Sequence, residues 1–209
     1  MEGRVKKFWI GITVLLVAAA LLLCVFASWR GSLYIKPSGN PQYTVTSFFD
    51  ALLAERYQEA YDCLSDYTTL GLENEPENEE ARLIYQALKD SYSYELVGRC
   101  EENQMEAVQR VSFTFLNVKR VETEISKRVN TVLALLVAEK PRNEVYDAND
   151  QYLPELTDEV YLLALKQVLE SPEFYYGTAE FDVELSYIDG QWLMKTNPAL
   201  FNALMGGES

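Results

Sequence analysis

The chain has 209 residues, of which 32 are acidic and 18 are basic, so that it carries a net charge of −14, and it contains no histidine. The absence of histidine excludes catalytic triads and general bases that use this residue, together with nearly all kinds of zinc site. The negative charge repels phosphate backbones and therefore disfavours nucleic acid as a partner.

The first predicted element is an apolar segment from Phe8 to Ser28 that contains no charged residue. At about 1.5 Å per residue it spans roughly 31 Å, which matches a hydrocarbon core of about 30 Å. Arg4, Lys6 and Lys7 precede the segment, and the positive-inside rule therefore predicts that residues 1–7 are a cytoplasmic tail. The sequence predicts a single-pass protein of the cell membrane, with a signal anchor at 8–28 and an extracytoplasmic C-terminal domain.

Two other fates of this segment stay open. Val25, Phe26 and Ala27 fit a signal-peptidase site, and cleavage there would remove the anchor. Lipidation of Cys24 is the third reading, although Leu23 stands where such signals want a small residue.

Residues 29–40 contain Gly, Ser and Pro and predict a short linker. The domain that follows, residues 41–207, is long enough to bury a core of its own. Residues 1–30 hold four basic residues and one acidic residue, which leaves 14 basic and 31 acidic residues, a net charge of −17, in the rest of the chain.

Helical spacing dominates the start of the domain. Asn40-Pro41 predicts a capped helix start, and the polar pair Glu55-Arg56 predicts either a kink or a break into two short helices before Ser65-Asp66. A further helix is predicted from the cap Asn78 to Asp90, after an acidic loop. The apolar stripe of the first helical region is Val45, Phe48, Phe49, Leu52, Leu53, Tyr57, Ala60, Tyr61 and Leu64.

The period of the pattern then changes to that of strands. We predict strands at 92–100 and 105–118, with a turn at residues 101–104 between them. Ala107, Val111, Phe113 and Phe115 share one face of the second strand, and Gln109 interrupts that apolar face.

A pair of helices is predicted next, at 119–139 and from the cap Thr157 to Ser171-Pro172, joined by a loop at 141–154. The first helix carries a candidate basic binding face. Its functional interpretation is a docking site for an acidic partner or for phosphate groups, and the alternative is a solvated face offset by Glu122 and Glu124. The basic face consists of Lys119, Arg120, Lys127 and Arg128.

The last strand pair gives a clear signal, because apolar residues alternate with polar ones from 178 to 187. Asp189-Gly190 fits a type I′ turn, in which both central residues need positive φ. A return strand at 191–196 and a short helix at 199–205, capped by Asn197, complete the domain.

These elements predict an α+β fold, with a curved antiparallel sheet around N-terminal helices and a helical hairpin inserted between two strand pairs. The patterns VTSFFDALLAERYQEAYDCLS (45–65) and YIDGQWLMKTNPALFNALMGG (187–207) resemble nuclear-transport-factor-2-like domains of the cystatin-like superfamily. They are most similar to membrane-anchored or lipoprotein ectodomains of Gram-positive bacteria that have no assigned function. The resemblance implies a cone-shaped domain.

The candidate residues for a pocket in the mouth of such a cone are aromatic: Phe48, Phe49, Tyr57, Tyr61 and Trp192. Cys63 and Cys100 form either a disulfide or, as we favour, two free thiols. Residues 71–80 lack the alternating oxygen ligands of a calcium loop, and we expect no metal, no cofactor and no catalytic residue.

Three classes of function follow. The leading hypothesis is a non-catalytic, membrane-tethered domain that binds an envelope protein, a peptide or a small ligand. The resemblance also admits an isomerase or dehydratase, with Asp50 or Asp62 as base and Tyr57, Tyr61 or Trp192 as donor. A third reading is a single-pass assembly subunit of a conjugation or secretion machine, which we expect to self-associate into a homo-oligomer.

Overall fold

A computed structural model of the chain describes residues 37–66 and 71–207. The predicted cytoplasmic tail, the predicted anchor at 8–28, Cys24 and most of the predicted linker lie outside the described residues. Within the described ranges, none of the helices combines the length and the apolar character needed to cross a membrane.

Three helices open the domain: α1 (Pro41–Leu53), α2 (Tyr57–Tyr61) and α3 (Glu79–Ser91). The predicted caps are confirmed, because the side chain of Asn40 accepts a hydrogen bond from the amide of Gln42, and that of Asn78 accepts one from Ala81. The interruption at Glu55-Arg56 separates two helices and does not merely kink one. Val45, Phe48 and Phe49 on α1 are completely buried.

The four strands form one antiparallel sheet in the order β1-β2-β3-β4: β1 (Ser93–Asn103), β2 (Glu106–Leu116), β3 (Tyr176–Ile188) and β4 (Gln191–Met194). The predicted turn at 101–104 is wrong in extent, because Glu101, Glu102 and Asn103 still pair with β2. Their polar side chains suggested a turn, but they are exposed along a strand that continues. The turn itself contains only residues 104 and 105, with Gln104 at φ 59°.

Gln109 is completely buried on β2 and explains the interruption in the predicted apolar face. The pairing register shifts between Val97 and Glu101 of β1, which is a β-bulge, and Gly98 there has a φ of 73°. The side-chain amide of Gln109 donates hydrogen bonds to the carbonyls of Val97 and Arg110, at 3.2 and 2.8 Å. A polar side chain therefore supplies a donor where the bulge interrupts the backbone ladder.

A helical hairpin separates the two strand pairs, as predicted. It consists of α4 (Val118–Glu139), the single turn α5 (Arg142–Val145) and α6 (Pro154–Leu169), and a 3-10 turn (Pro172–Tyr175) leads into β3. Two details of the prediction are wrong. The segment 141–154 contains α5, and α6 starts at Pro154 because proline suits the first helical position, so that Thr157 lies inside the helix and is not its cap.

The C-terminal hairpin and helix agree with the prediction. Asp189 and Gly190 both have positive φ, at 50° and 92°. The helix α7 (Pro198–Leu204) is capped by Asn197, whose side chain accepts from the amides of Ala199 and Leu200. One face of β3 is buried and the other is solvated, and α1 packs against β1, β2 and β4 on the buried side.

Candidate functional site

A cavity of about 280 Å³ lies where the end of α1, α2, Leu72 and the junction of α3 with β1 meet. We call it the Lys89 cavity. Leu52, Leu53 and Leu72 provide an apolar wall, and the rings of Tyr57 and Tyr92 line it as well. Its charged lining residues are Glu55, Lys89 and Asp90.

The end of α1 positions Glu55 at the cavity. The amide of Glu55 donates to the carbonyl of Leu52, and the amide of Arg56 donates to that of Ala51, which is the Schellman pattern of a helix end. This pattern places Glu55 in the left-handed region, at φ 56°, where glycine is the usual residue. Glu55 therefore presents its carboxylate to the cavity from a backbone conformation that favours glycine.

Lys89 belongs to the last turn of α3, and its side chain is only 14% exposed. The ammonium donates to the carboxylate of Glu55 at 2.8 Å and lies 4.7 Å from the centre of the Tyr85 ring. Burial alone would lower the pKa of Lys89, but the hydrogen bond to Glu55 and the neighbouring Tyr85 and Glu55 outweigh burial and raise it. Lys89 is therefore a nearly covered cation held by one carboxylate.

The hydroxyl of Tyr57 is buried and makes no hydrogen bond with any described residue. The neighbouring hydroxyl of Tyr85 donates instead to the carbonyl of Leu72. Burial, first of all, and then the nearby Tyr85 raise the pKa of Tyr57, although the two hydroxyls lack the geometry of a hydrogen bond. Burial likewise raises the pKa of Tyr92, whose hydroxyl donates to the carbonyl of Leu204.

These groups suit binding more readily than proton transfer. Phenols are protonated at neutral pH at their ordinary pKa, and burial moves the pKa of Tyr57 and of Tyr92 further upward, so that neither hydroxyl serves as a base there. Lys89 offers one positive charge beside an apolar wall. Small-ligand sites commonly combine apolar side chains with a few polar groups, and the cavity volume of about 280 Å³ is just below their usual range of about 300–1,000 Å³.

Of the five aromatic residues predicted to line a pocket, only Tyr57 is part of this cavity. Phe48 and Phe49 belong to the core, where their rings pack edge to face with centres 5.1 Å apart. The hydroxyl of Tyr61 donates to the carboxylate of Glu73 at 2.6 Å. The structure thus does not bring the five residues together.

Trp192 lies in a different place, on β4, where its ring packs edge to face against Tyr187. It lines a second, shallower cavity of about 350 Å³ together with Asp62 and Cys63. Its indole N–H is buried and has no hydrogen-bond partner among residues 37–66 and 71–207.

The two carboxylates considered as catalytic bases are both exposed. Asp50 accepts a hydrogen bond from the hydroxyl of Tyr94 at 2.7 Å, and Asp62 accepts one from the side chain of Gln58 at 2.9 Å. Asp62 shares the second cavity with Trp192, whereas Tyr57 lines the Lys89 cavity, so that these candidates belong to two sites.

The four residues of the predicted basic face do not all line the same groove. Lys119, Arg120 and Lys127 line a shallow groove of about 340 Å³ near the start of α4, which we call the basic groove. Glu124 of the same groove lies 3.1 Å from the ammonium of Lys127 and 3.3 Å from the guanidinium of Arg128. The helix thus neutralises part of the positive charge, as the alternative interpretation predicts.

Cys63 and Cys100 are both free thiols in the structure. Cys63 follows α2 and its thiol contacts the carbonyl of Glu59, whereas Cys100 lies in the bulge of β1. Burial raises the pKa of both thiols. Among the described residues, no group of three or more acidic or cysteine side chains is placed to hold a metal ion.

Sequence reasoning missed Glu55, Lys89, Leu72 and Tyr92 as site residues. Glu55 and Lys89 are 34 positions apart, and helical or strand spacing cannot reveal such a contact. The one available signal was Glu55-Arg56 itself, a polar break without glycine inside an apolar stripe. Comparison with known proteins found no matching family model, no matching curated protein and no matching solved structure.

Proposed function

We propose that residues 41–207 form a non-catalytic binding domain that holds a small, partly apolar ligand in the Lys89 cavity. The observation that carries this proposal is the composition of the cavity wall among the described residues, in which three leucines and two tyrosine rings lie beside Glu55, Asp90 and the nearly covered Lys89. Small-ligand sites are concave and combine apolar side chains with a few placed polar groups, and both kinds of side chain line this cavity.

The proposal includes the fold family and the location that the sequence suggests. We infer a nuclear-transport-factor-2-like cone, tethered by the apolar segment 8–28 to the outer side of a cell membrane. An open antiparallel sheet with α1 packed on its buried face supports the first inference. The uncharged segment and the basic residues before it support the second.

The test uses three probes with the same six-carbon chain: hexanol, hexanoate and hexylammonium. The full-length chain is labelled with ¹³C at the leucine methyl groups, placed in phosphatidylcholine nanodiscs and titrated with each probe. We expect at least one probe to shift the methyl resonances of Leu52 and Leu72 saturably, because both residues line the cavity.

A matched pair of variants locates the binding. Leu53→Trp places an indole at the cavity, since Leu53 lines it and is 40% exposed, and we expect this variant to lose the response. Leu135→Trp makes the same change on α4, where Leu135 is 55% exposed and outside the cavity lining, and should bind as the wild type does. Failure of all three probes, or an undiminished response in Leu53→Trp, would refute the proposal.

A further inference from the structure

We infer that the Lys89 cavity takes small amphiphilic carboxylates, and that Glu55 is an internal competitor which occupies the ligand's place on Lys89 until the ligand arrives. This inference rests on the proposed function and names its ligand class. The binding of a carboxylate then exchanges one partner of the Lys89 ammonium for another, while the apolar part of the ligand packs on the leucine wall.

The positive charge of the cavity is nearly covered. Among the described residues, Lys89 is the one basic residue that lines the cavity, and its side chain is 14% exposed. A cation removed from water to this extent needs an anion or other acceptors beside it. A ligand group that replaces Glu55 must therefore offer an acceptor to the ammonium, and a carboxylate matches both the charge and the acceptor of the group that it replaces.

The Glu55 carboxylate can leave the Lys89 ammonium at little cost. Its side chain is 54% exposed, so that water can solvate the carboxylate once the ammonium is released. Its backbone has a φ of 56° in a helix end that favours glycine. This backbone conformation is the same whether or not the carboxylate holds Lys89, so that it is the exposure of the side chain that favours its release.

An apolar wall lies beside the ion pair of Lys89 and Glu55. Leu53 is 40% exposed and lines the cavity beside the nearly buried Leu52 and Leu72. Glu55 reaches the ammonium from the rim and places no apolar group in the cavity beyond its own two methylenes. A ligand with an apolar chain covers the exposed surface of Leu53, and that gain favours the ligand over Glu55.

The competing reading of the same residues is a cationic ligand, since Glu55 and Asp90 both line the cavity and tyrosine rings attract cations. The two readings predict opposite effects of the same substitutions. Removal of Glu55 strengthens the binding of a carboxylate and weakens that of an amine, and removal of Lys89 does the reverse.

The experiment measures dissociation constants of hexanoate, hexanol and hexylammonium from the Leu72 methyl shifts of the full-length chain. We expect hexanoate to bind most tightly. Lys89→Met should weaken hexanoate about tenfold, because a charge-assisted hydrogen bond is lost, and should leave hexanol unchanged. Glu55→Gly and Glu55→Gln should each strengthen hexanoate about two- to fivefold, which is the range expected for removal of a partly exposed ion pair.

Lys127→Met is the matched control, because Lys127 also pairs with a glutamate but lies in the basic groove. It should not change the affinity for hexanoate. If hexanol binds in the cavity and hexanoate does not bind more tightly, or if Glu55→Gln weakens hexanoate, the carboxylate inference is overturned while the proposed function stands. If none of the probes reaches Leu72, both are overturned.

Discussion

Two helices of this domain end in the same hydrogen-bonding pattern but with different residues at the left-handed position. At the end of α7, the amides of Gly206 and Gly207 donate to the carbonyls of Ala203 and Asn202, and Gly206 has a φ of 75°. At the end of α1, the same two bonds are made by Glu55 and Arg56. One end has the residue that the backbone favours, and the other does not.

The surroundings explain the difference. A Cβ atom on Gly206 would lie 2.8 Å from the carbonyl oxygen of Leu116 and closer still to a methyl group of Val118, so that packing there requires glycine. Glu55 is exposed and its side chain extends to Lys89 instead. The comparison teaches that glycine at one helix end serves packing, whereas glutamate at the other places a carboxylate within hydrogen-bonding distance of Lys89.

The largest expected effect comes from Gly206→Ala. The added methyl group meets Leu116 and Val118, and the left-handed backbone disfavours alanine, so we expect a loss of about 2–5 kcal/mol in the free energy of unfolding. Gly190→Ala is the control, because Gly190 has a φ of 92° and no heavy atom within 4 Å of an added Cβ. It should lose only about 1–2 kcal/mol, measured by urea denaturation. Equal losses would show that packing at Gly206 is unimportant.

Two substitutions of Glu55 distinguish the effect of its backbone conformation on stability from the effect of its side chain. Glu55→Ala removes the ion pair and keeps the unfavourable backbone, whereas Glu55→Gly removes both. We therefore expect Glu55→Gly to be more stable than Glu55→Ala by about 1 kcal/mol and close to the wild type. The measurement is the free energy of unfolding of the three proteins. An alanine variant as stable as the glycine variant would contradict this account of the helix end.

A pair of double-mutant cycles compares the two Lys–Glu contacts. For Lys89→Met and Glu55→Gln we expect a coupling free energy of up to about 1 kcal/mol, since the Lys89 side chain is 14% exposed. For Lys127→Met and Glu124→Gln we expect a smaller coupling, because the Lys127 side chain is 67% exposed. The opposite order would mean that the ion pair of Glu55 and Lys89 contributes little to the free energy of unfolding.

An effect that is confined to high pH concerns the link between α1 and β1. Burial and the hydrogen bond donated to Asp50 raise the pKa of Tyr94 to about 12, above its ordinary value of 10.0. A pKa that is higher in the folded than in the unfolded state stabilises the fold fully below about pH 10, and this stabilisation is lost as the pH rises towards 12. Tyr94→Phe should therefore lose less stability than the wild type between these pH values. An identical pH dependence would exclude this contribution.

Much of the fold could be predicted from local patterns. The caps Asn40, Asn78 and Asn197 and the turn at Asp189-Gly190 each depend on residues within three positions, and the structure confirms them. The prediction at 101–104 was wrong because it relied on local composition alone. The polar residues there suggested a turn, although Glu101, Glu102 and Asn103 pair with β2 and extend the strand. The free energy of strand pairing depends on the neighbouring strand, and the sequence of the segment alone does not reveal it.

The candidate site could be predicted only in part. Tyr57 was found because it continues an apolar stripe, but the same reasoning selected Phe48 and Phe49, which are core residues. Spacing shows which side chains share a face and does not show whether that face meets protein or empty space. The contact of Glu55 with Lys89 depends on how α1 and α3 pack, and no local pattern encodes it.

The bulge in β1 has a consequence for how this protein behaves at high concentration. β1 is an edge of the sheet, and a long, regular edge invites other chains to add strands and to grow into aggregates. The three residues between Val97 and Glu101 break the even spacing of donors and acceptors along that edge, and the side-chain amide of Gln109 donates hydrogen bonds to the carbonyls of Val97 and Arg110 beside the break. Replacement of this glutamine by valine would improve the apolar pattern of β2 and at the same time weaken a safeguard against insolubility.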